Sequence, residues 1–580
     1  MLNTLLRVGL LGVCLLGLSV DFSLAIEEDI TPDEPQTLSV SGEVLTYRGI
    51  FTAQDAEVLI ILTELNAGDV IYADADGFGF VNTYLTLIDD ATGTILIEDD
   101  NGGIGFDAAL QYEITKAGTY LLQMNNIGSE GGFLLHVGVN TPQIFQEDTA
   151  SSRDDFFNVE FDPFDCDDVR AGTRPELSGS ERTREADTFV VHYTRSGLDR
   201  TTEGWVDELV IALQRSLDIQ FEELGWALPP SDCGEGGDTR LDVYVMDIEN
   251  FGAAGIATSE VLVGNNPNTP VEEYYATYSF LRIDNDMSFV ADTDEAFDLM
   301  RTTAAHEVHH NIQFGYDSND RFFGFYEAGA TWLETLVYPN LSISGADVTP
   351  VFNTPDACYG SFDGFGSGDV RPYSEWLVID SFSRDLGRDS YQFIWEYLAA
   401  NEGLGAFYDA LEELDTTPEE VILRAGIRNL LLDYALADNF TSRVRIETTV
   451  DDFGLVAPTR NGVQQLSVDY IELTEQRIYT IDLLDGDALE VYLVGVDANS
   501  DTARLYEIGT TGTVDTSPYS DAFIIVLNTA RHLDTDICVY TNWILQLSDG
   551  STASEVMQPT DEIWNATNFE HSSGGLHQGN

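Results

Sequence analysis

Lysine is almost missing from this chain. Among 580 residues there is one, Lys116, and the 26 basic side chains face 101 acidic ones, for a net charge of −75. Such a surface repels nucleic acid and anionic membranes, so no nucleic-acid partner is expected. It suits high salt, bound Ca2+, or solubility alone, and composition leaves the three open. Long apolar runs are missing too: beyond the N-terminus no stretch reaches the ~18 residues that would span a bilayer, so membrane insertion is not expected. Cysteine is scarce, with 5 in all. Cys166, Cys233, Cys358 and Cys538 lie outside the N-terminal run, none at Cys-x-x-Cys spacing, so a cysteine-bound zinc is not expected. One or two disulfides fit an oxidising compartment, with a connectivity that spacing does not reveal. Histidine is equally rare, 8 in total, yet three fall within five positions, in "TTAAHEVHHNIQFGYDS" from Thr302.

The N-terminus reads as an export signal over 1–25. Arg7 supplies the positive end, Val8 to Leu18 a short apolar run, and Ser23 and Ala25 the small residues before a cleavage point. Cys14 offers a lipidation reading, which Val13 before it and the apolar run beyond it argue against. A secreted or otherwise extracytoplasmic chain is expected. Its length calls for several domains.

Short alternating runs split by Gly, Asp and Asn turns, such as "GDVIYADADG" and "GTYLLQMNNIG", predict an all-β domain over 26–145. The "YLTLID" strand, the Asp99-Asp100 pair and the "AGTYLLQM" strand resemble the bacterial pre-peptidase C-terminal domain, a β-sandwich attached to secreted peptidases. In this chain it lies before the candidate catalytic region rather than after it. Asp99, Asp100 and Asp107 crowd one turn region, and hard carboxylate oxygens suit Ca2+. Residues 146–185 are polar and read as a linker.

Residues 186–440 are mixed. "TFVVHYT", "RLDVYVMD" and "YSFLRIDND" predict strands. Val206, Leu209, Val210, Leu213, Leu217, Phe221 and Leu224 share one helical face. Helices follow through the histidines, through "FYEAGATWLETLV", and from Ser374 to Leu436, one of them capped by Thr417 with Pro418 in its first turn. Strands first and helices after predict an α+β domain. Strands return over 441–550, read as a second β-sandwich, and 551–580 reads as a polar tail. The expected architecture is multidomain: an α+β region between two β-sandwiches.

His306-Glu307-Val308-His309-His310 fits HExxH. Its helix is predicted to start at Asp292, with Glu295 completing a capping box, and to stop at Gly315. Residues four apart share a helical face, so His306 and His310 can turn two imidazoles to one metal ion, with Glu307 leaning over it as a proton acceptor. His309 is off that pattern. A hydrolytic zinc takes three protein ligands and keeps one position open. Glu327, 17 residues after His310, can supply the third from a second helix packed alongside. Glu334, seven further on, shares its face and can orient a histidine. An oxyanion needs one more donor, and Tyr373 in "RPYSEW" is the candidate. Histidines on an ordinary buried helix are the bland alternative. No Gly-x-Ser-x-Gly elbow is present, and His192 has no evident partner.

HExxH followed by "EAGATWLE" resembles the gluzincins, the HExxH-plus-Glu metallopeptidases, and among them secreted bacterial members in which a "DND" strand precedes the motif, as in "LRIDNDM". The resemblance implies zinc on His306, His310 and Glu327, with Glu307 as general base. The spacing to Glu327 is shorter than in well-known members, so the loop between the helices must differ. Gln313 and Tyr316 stand where a metzincin needs Gly and His. No Gly-x-Met-Glu-Asn-like segment is found to anchor a free N-terminus. The expectation is a secreted zinc endopeptidase acting on protein or peptide. The alternative is a non-catalytic surface or adhesion protein with a vestigial zinc site.

Overall fold

The computed structural model describes residues 26–29, 36–39, 44–51, 57–77, 81, 83–100, 108–126, 131–141 and 174–569, less 250–252, 291–292, 321, 323, 342–346, 361–370, 402, 487 and 534–537. The expected export signal, Cys14, Cys166, Asp107 and Asp292 lie outside the described residues.

Strands between Ile26 and Val139 form two five-stranded sheets. Alternating side chains such as Ile60, Leu62, Leu85, Leu87, Leu122 and Leu135 meet between them as one core. This is the β-sandwich that the alternation predicts. Asp99 ends an edge strand of one of these sheets, Thr94–Asp99; its Oδ2 accepts the Ala109 amide at 2.9 Å, and Asp100 follows it exposed.

The central region is built on one five-stranded sheet and a set of helices. Its elements are β1 (Glu181–Glu185), β2 (Phe189–Thr194), α1 (Glu203–Leu217), β3 (Leu241–Met246), β4 (Gly255–Gly264), β5 (Ala276–Asp284), α2 (Thr293–Phe314), α3 (Gly324–Val337), α4 (Thr349–Asn353), α5 (Arg371–Ser374), α6 (Trp376–Leu386), α7 (Asp389–Ala400), α8 (Gly403–Glu413) and α9 (Pro418–Leu431). The sheet order is β1-β2-β3-β5-β4. β2, β3 and β5 run parallel, while β1 and β4 pair antiparallel at the edges. Phe189, Val191, Val243, Val245, Leu281 and Ile283 point from one face into the helices. α1 and α2 cover that face through Leu209, Leu213, Ala304 and Val308.

Two expectations are corrected below. Within the stretch 146–185, Glu181–Glu185 forms a strand that pairs with β2. Its charged sequence carries no apolar alternation, and pairing alone makes it a strand. The α1 helix does not run regularly to Leu224: it widens into a π turn over Asp218–Glu223. The tail begins later than 551, because Ile563–Asn565 pairs with Thr502–Arg504 and buries Trp564. One indole carries enough apolar area to dock a segment that has no periodicity.

From Thr448 onward, a six-stranded and a four-stranded sheet enclose a second sandwich core around Tyr479, Leu493, Ile524, Trp543 and Leu545. The outer face of the larger sheet packs through Val468, Tyr470 and Phe523 on the central helices. Cys358 of the central region is disulfide-bonded to Cys538 of this sandwich, and Cys233 is disulfide-bonded too.

Candidate metal centre

The α2 helix is buried on every side from Thr302 to Phe314. That stretch holds three histidines, a glutamate, an asparagine and a glutamine, so the cost of burying them must be met by bonding. His309 turns away from its two neighbours. Its Nδ1 meets Gln220 Oε1 at 2.9 Å and its Nε2 the Tyr391 hydroxyl at 3.0 Å, with Trp226 edge-on to the ring. Burial, and repulsion from His310 and His306, push its pKa well below the ordinary imidazole value. It is a neutral core histidine.

His306 and His310 face α3 instead. His306 Nε2 lies 3.0 Å from Glu327 Oε2 and 3.0 Å from His310 Nε2, and His310 Nε2 is 3.5 Å from the same carboxylate oxygen. One ligand atom from each of the three falls within 4.8 Å of the others. The second ring nitrogens are occupied. His306 Nδ1 is 2.8 Å from Glu334 Oε1, and His310 Nδ1 is 2.7 Å from Gln313 Oε1. Gln313 Nε2 donates to the Tyr326 carbonyl at 3.0 Å, so its oxygen faces His310, and both Nδ1 atoms carry the protons. Both Nε2 lone pairs and a carboxylate oxygen therefore converge on one point. Three acceptors can sit so close only around positive charge, supplied by a proton or by a metal ion. The donor set, two imidazoles and a carboxylate with their outer nitrogens tied back, fits a divalent metal.

The loop between the helices aligns them. It is polar yet buried: Asp317, Ser318, Asn319 and Asp320 are each no more than 1% exposed. The turn bonds itself, Asp317 Oδ1 taking the Asn319 amide and Asp320 Oδ1 the Phe322 amide. The Tyr326 hydroxyl ties it to α3 through the Asp317 carbonyl and Asp320 amide at 2.9 and 3.1 Å. Glu327 thus enters with the first turn of α3. Gly329 permits the close approach, since a Cβ there would lie 1.6 Å from the Tyr391 hydroxyl oxygen.

Among the described partners of these groups there is no arginine or lysine, and burial and their mutual contacts set the electrostatics. Burial alone would lower His306, yet Glu327 and Glu334 hold its pKa well above the ordinary value. Burial would raise Glu327, and the two histidines hold it down at about 2 instead. Glu334 is pushed up by burial against the pull of His306. Glu307 is also pushed up, by burial first and by Glu327 among its neighbours. It accepts a bond from the Ala257 backbone. It packs so closely under β4 that a Cβ on Gly255 would come within 2.7 Å of its Oε1. Tyr373, in the four-residue α5, stacks on His306 at 5.8 Å and 17°. It leaves 37% of its surface open, with its hydroxyl close enough to Glu327 to feel that carboxylate. Burial of that hydroxyl, then Glu327 and Glu307, raise its pKa well above the phenol value.

Two parts of this site escaped the sequence reading: Gln313, three after His310 on the same helix, and β4. The latter was legible as "GIATSEVLVG", a β-branched run bounded by glycines. Among the described residues no strand pairs with its outer edge. Also among the described residues, no other group of three His, Cys, Asp or Glu converges as a metal site would require.

No family model matches this chain, and no curated protein does. Among solved structures, PliG of Aeromonas hydrophila, a periplasmic inhibitor of g-type lysozyme, is similar over 19% of this chain and 99% of its own, at 16% identity and a TM-score of 0.15. The pre-peptidase C-terminal domain of a Bacillus anthracis collagenase is similar over 19% of this chain and 98% of its own, at 13% identity and 0.15. IMPa of Pseudomonas aeruginosa, solved in complex with an O-glycopeptide, is similar over 65% of this chain, at 11% identity and a TM-score of 0.19. The chain spans 45% of the length of IMPa. At these scores the likenesses decide nothing about chemistry.

Proposed function

We propose that this chain is a secreted zinc metallopeptidase, acting as an endopeptidase on protein or peptide. The convergence of His306 Nε2, His310 Nε2 and a Glu327 oxygen carries the reading. Two imidazoles and one carboxylate leave a fourth position free, the ligand count of hydrolytic zinc. Zinc held there supplies Lewis acidity to a carbonyl oxygen and acidifies a water molecule. Glu307 would accept a proton from a water molecule at the site and return it to the leaving amine. Tyr373 keeps its proton at neutral pH and can donate it to a developing oxyanion. Glu334 and Gln313 hold the two imidazoles in the tautomer that leaves Nε2 free. Gly255 and Ile256, at the start of β4 beside Glu307, are half-buried, and among the described residues no strand pairs with the outer edge there, which supports an extended peptide as substrate.

Export fits a disulfide between Cys358 and Cys538, since such bonds persist outside the reducing cytosol. Among the described residues no helix is long and apolar enough to cross a membrane.

The test is metal analysis of the purified chain with a casein or gelatin digest, on wild type and Glu307→Gln. Wild type should hold about one zinc and cleave. The variant should keep the zinc and lose at least ~10²-fold in activity, since only the proton acceptor is gone. A wild type that binds metal and leaves both substrates intact would point to the binding or adhesion protein instead.

A further inference from the structure

Tyr373 sits in a helix of four residues, too short to hold its own shape in water. Its place over His306 must be fixed from outside. Its neighbours two residues away on either side do this. Arg371 and Glu375 form an ion pair, NH1 to Oε1, with both side chains largely buried. The guanidinium also bonds one loop: NH1 donates to the Cys358 carbonyl at 2.8 Å, NH2 to the Ala357 carbonyl at 2.9 Å, and Nε to the Thr354 hydroxyl at 3.2 Å. Glu375 Oε2 takes the Gly360 amide at 2.9 Å.

That loop, 354–360, is anchored independently. Cys358 is bonded to Cys538 in the C-terminal sandwich, and its amide donates to Gln464 Oε1 at 2.8 Å. Gly360 adopts φ 74° and lies against the start of α3, where a Cβ on Gly324 would come within 2.6 Å of the Gly360 Cα. Glu327 follows Gly324 by three residues. One loop thus fixes both the helix that brings the carboxylate ligand and the turn that brings Tyr373.

We propose that Arg371 and Glu375 are positioning residues that hold the Tyr373 ring over His306, with the loop 354–360 as their fixed point. The kinetic consequence rests on the metallopeptidase reading; the placement of the ring does not. Losing the pair lets the ring leave its stack on His306 and misplaces the oxyanion donor, without touching a ligand.

Two measurements test this on the full chain. Nitration of Tyr373 by tetranitromethane, followed by peptide mapping, reports reagent access to the phenol and needs no substrate. It should speed up about ten-fold in Arg371→Gln, the equivalent of one lost charge-assisted hydrogen bond. Arg371→Gln/Glu375→Gln should behave likewise while leaving no buried charge unpaired, which covers the case where the single variant fails to fold. In the peptidase assay, Arg371→Gln should lower kcat about ten-fold with KM and bound zinc unchanged. Added to Tyr373→Phe it should cost nothing more, because both act through one hydroxyl. Wild-type nitration rates at Tyr373 in the folded variants, or losses that add in the double variant, would overturn the proposal. If wild type cleaves no peptide, the nitration result still decides the positioning role, and only the metallopeptidase reading falls.

Discussion

The two faces of the central sheet each cover a buried cluster of histidine and carboxylates, and the clusters are solved in opposite ways. On the face away from α2, Arg174 reaches Asp232 at 2.9 Å, Glu260 at 2.9 Å and Asp242 at 3.1 Å. His192 bridges Asp242 and Glu181 at 2.8 and 2.9 Å. A guanidinium therefore sits among the acids, and the cluster carries its own cation. Around His306 no arginine or lysine is found among the described partners; the carboxylates meet two imidazoles instead. Burial is severe in both places. The first cluster holds its own cation, whereas the second brings together two imidazoles and a carboxylate that could hold a metal ion.

The strongest test of that contrast is Glu327→Ala. It should remove most zinc and essentially all activity, as read by metal analysis after dialysis and by turnover, because two imidazoles alone do not complete the set. Glu334→Ala should keep the metal, weakened about 10- to 100-fold, since Glu334 touches only the far nitrogen of His306. Glu334 lies ~10 Å along the axis from Glu327 at 1.5 Å per residue, beyond the reach of the same ion. A metal-free Glu334 variant beside a metal-bound Glu327 variant would reverse the assignment.

The Arg174 cluster should respond in the other currency, stability. Arg174→Met strands buried carboxylates and should cost about 3–5 kcal/mol in calorimetric or denaturant unfolding, with zinc content and turnover per folded molecule unchanged. Loss of zinc in that variant would mean that the two clusters are coupled through the sheet. The smallest effect concerns pH. Burial, outweighing Arg174, pushes Glu260 up to about 8 from an ordinary 4.5. The folded chain thus holds that proton more tightly than the unfolded one. Its contribution to stability is full below about pH 4.5 and is lost as pH rises through about 8. Glu260→Gln should flatten the fall of melting temperature across that window; an unchanged slope would show that Glu260 ionises freely in the fold.

Much of the site was legible because it is local. His306 and His310 are one turn apart, Glu307 follows the first, and Glu327 and Glu334 are seven apart on one helix. Gln313 was missed because glutamine at that spacing carries no signal until a partner carbonyl, that of Tyr326, turns its oxygen inward. Strand β1 was missed because its charged residues pair without alternating. Trp564 was missed for the opposite reason, a single apolar residue in a polar stretch.

The sequence by itself determined which residues can share a face, because helix and strand periods follow from backbone geometry. It therefore settled the pairing of His306 with His310, the turning away of His309, and the alternation of both sandwiches. Only the tertiary structure decided what stands opposite those faces. The 17-residue step from His310 to Glu327 is aligned by a buried turn that Tyr326 pins, and Tyr373 is placed by an ion pair tied to a disulfide-anchored loop. Arg174 meets carboxylates 58 to 86 positions away. Such contacts depend on how whole elements pack, and packing is a property of the assembled core rather than of any local period.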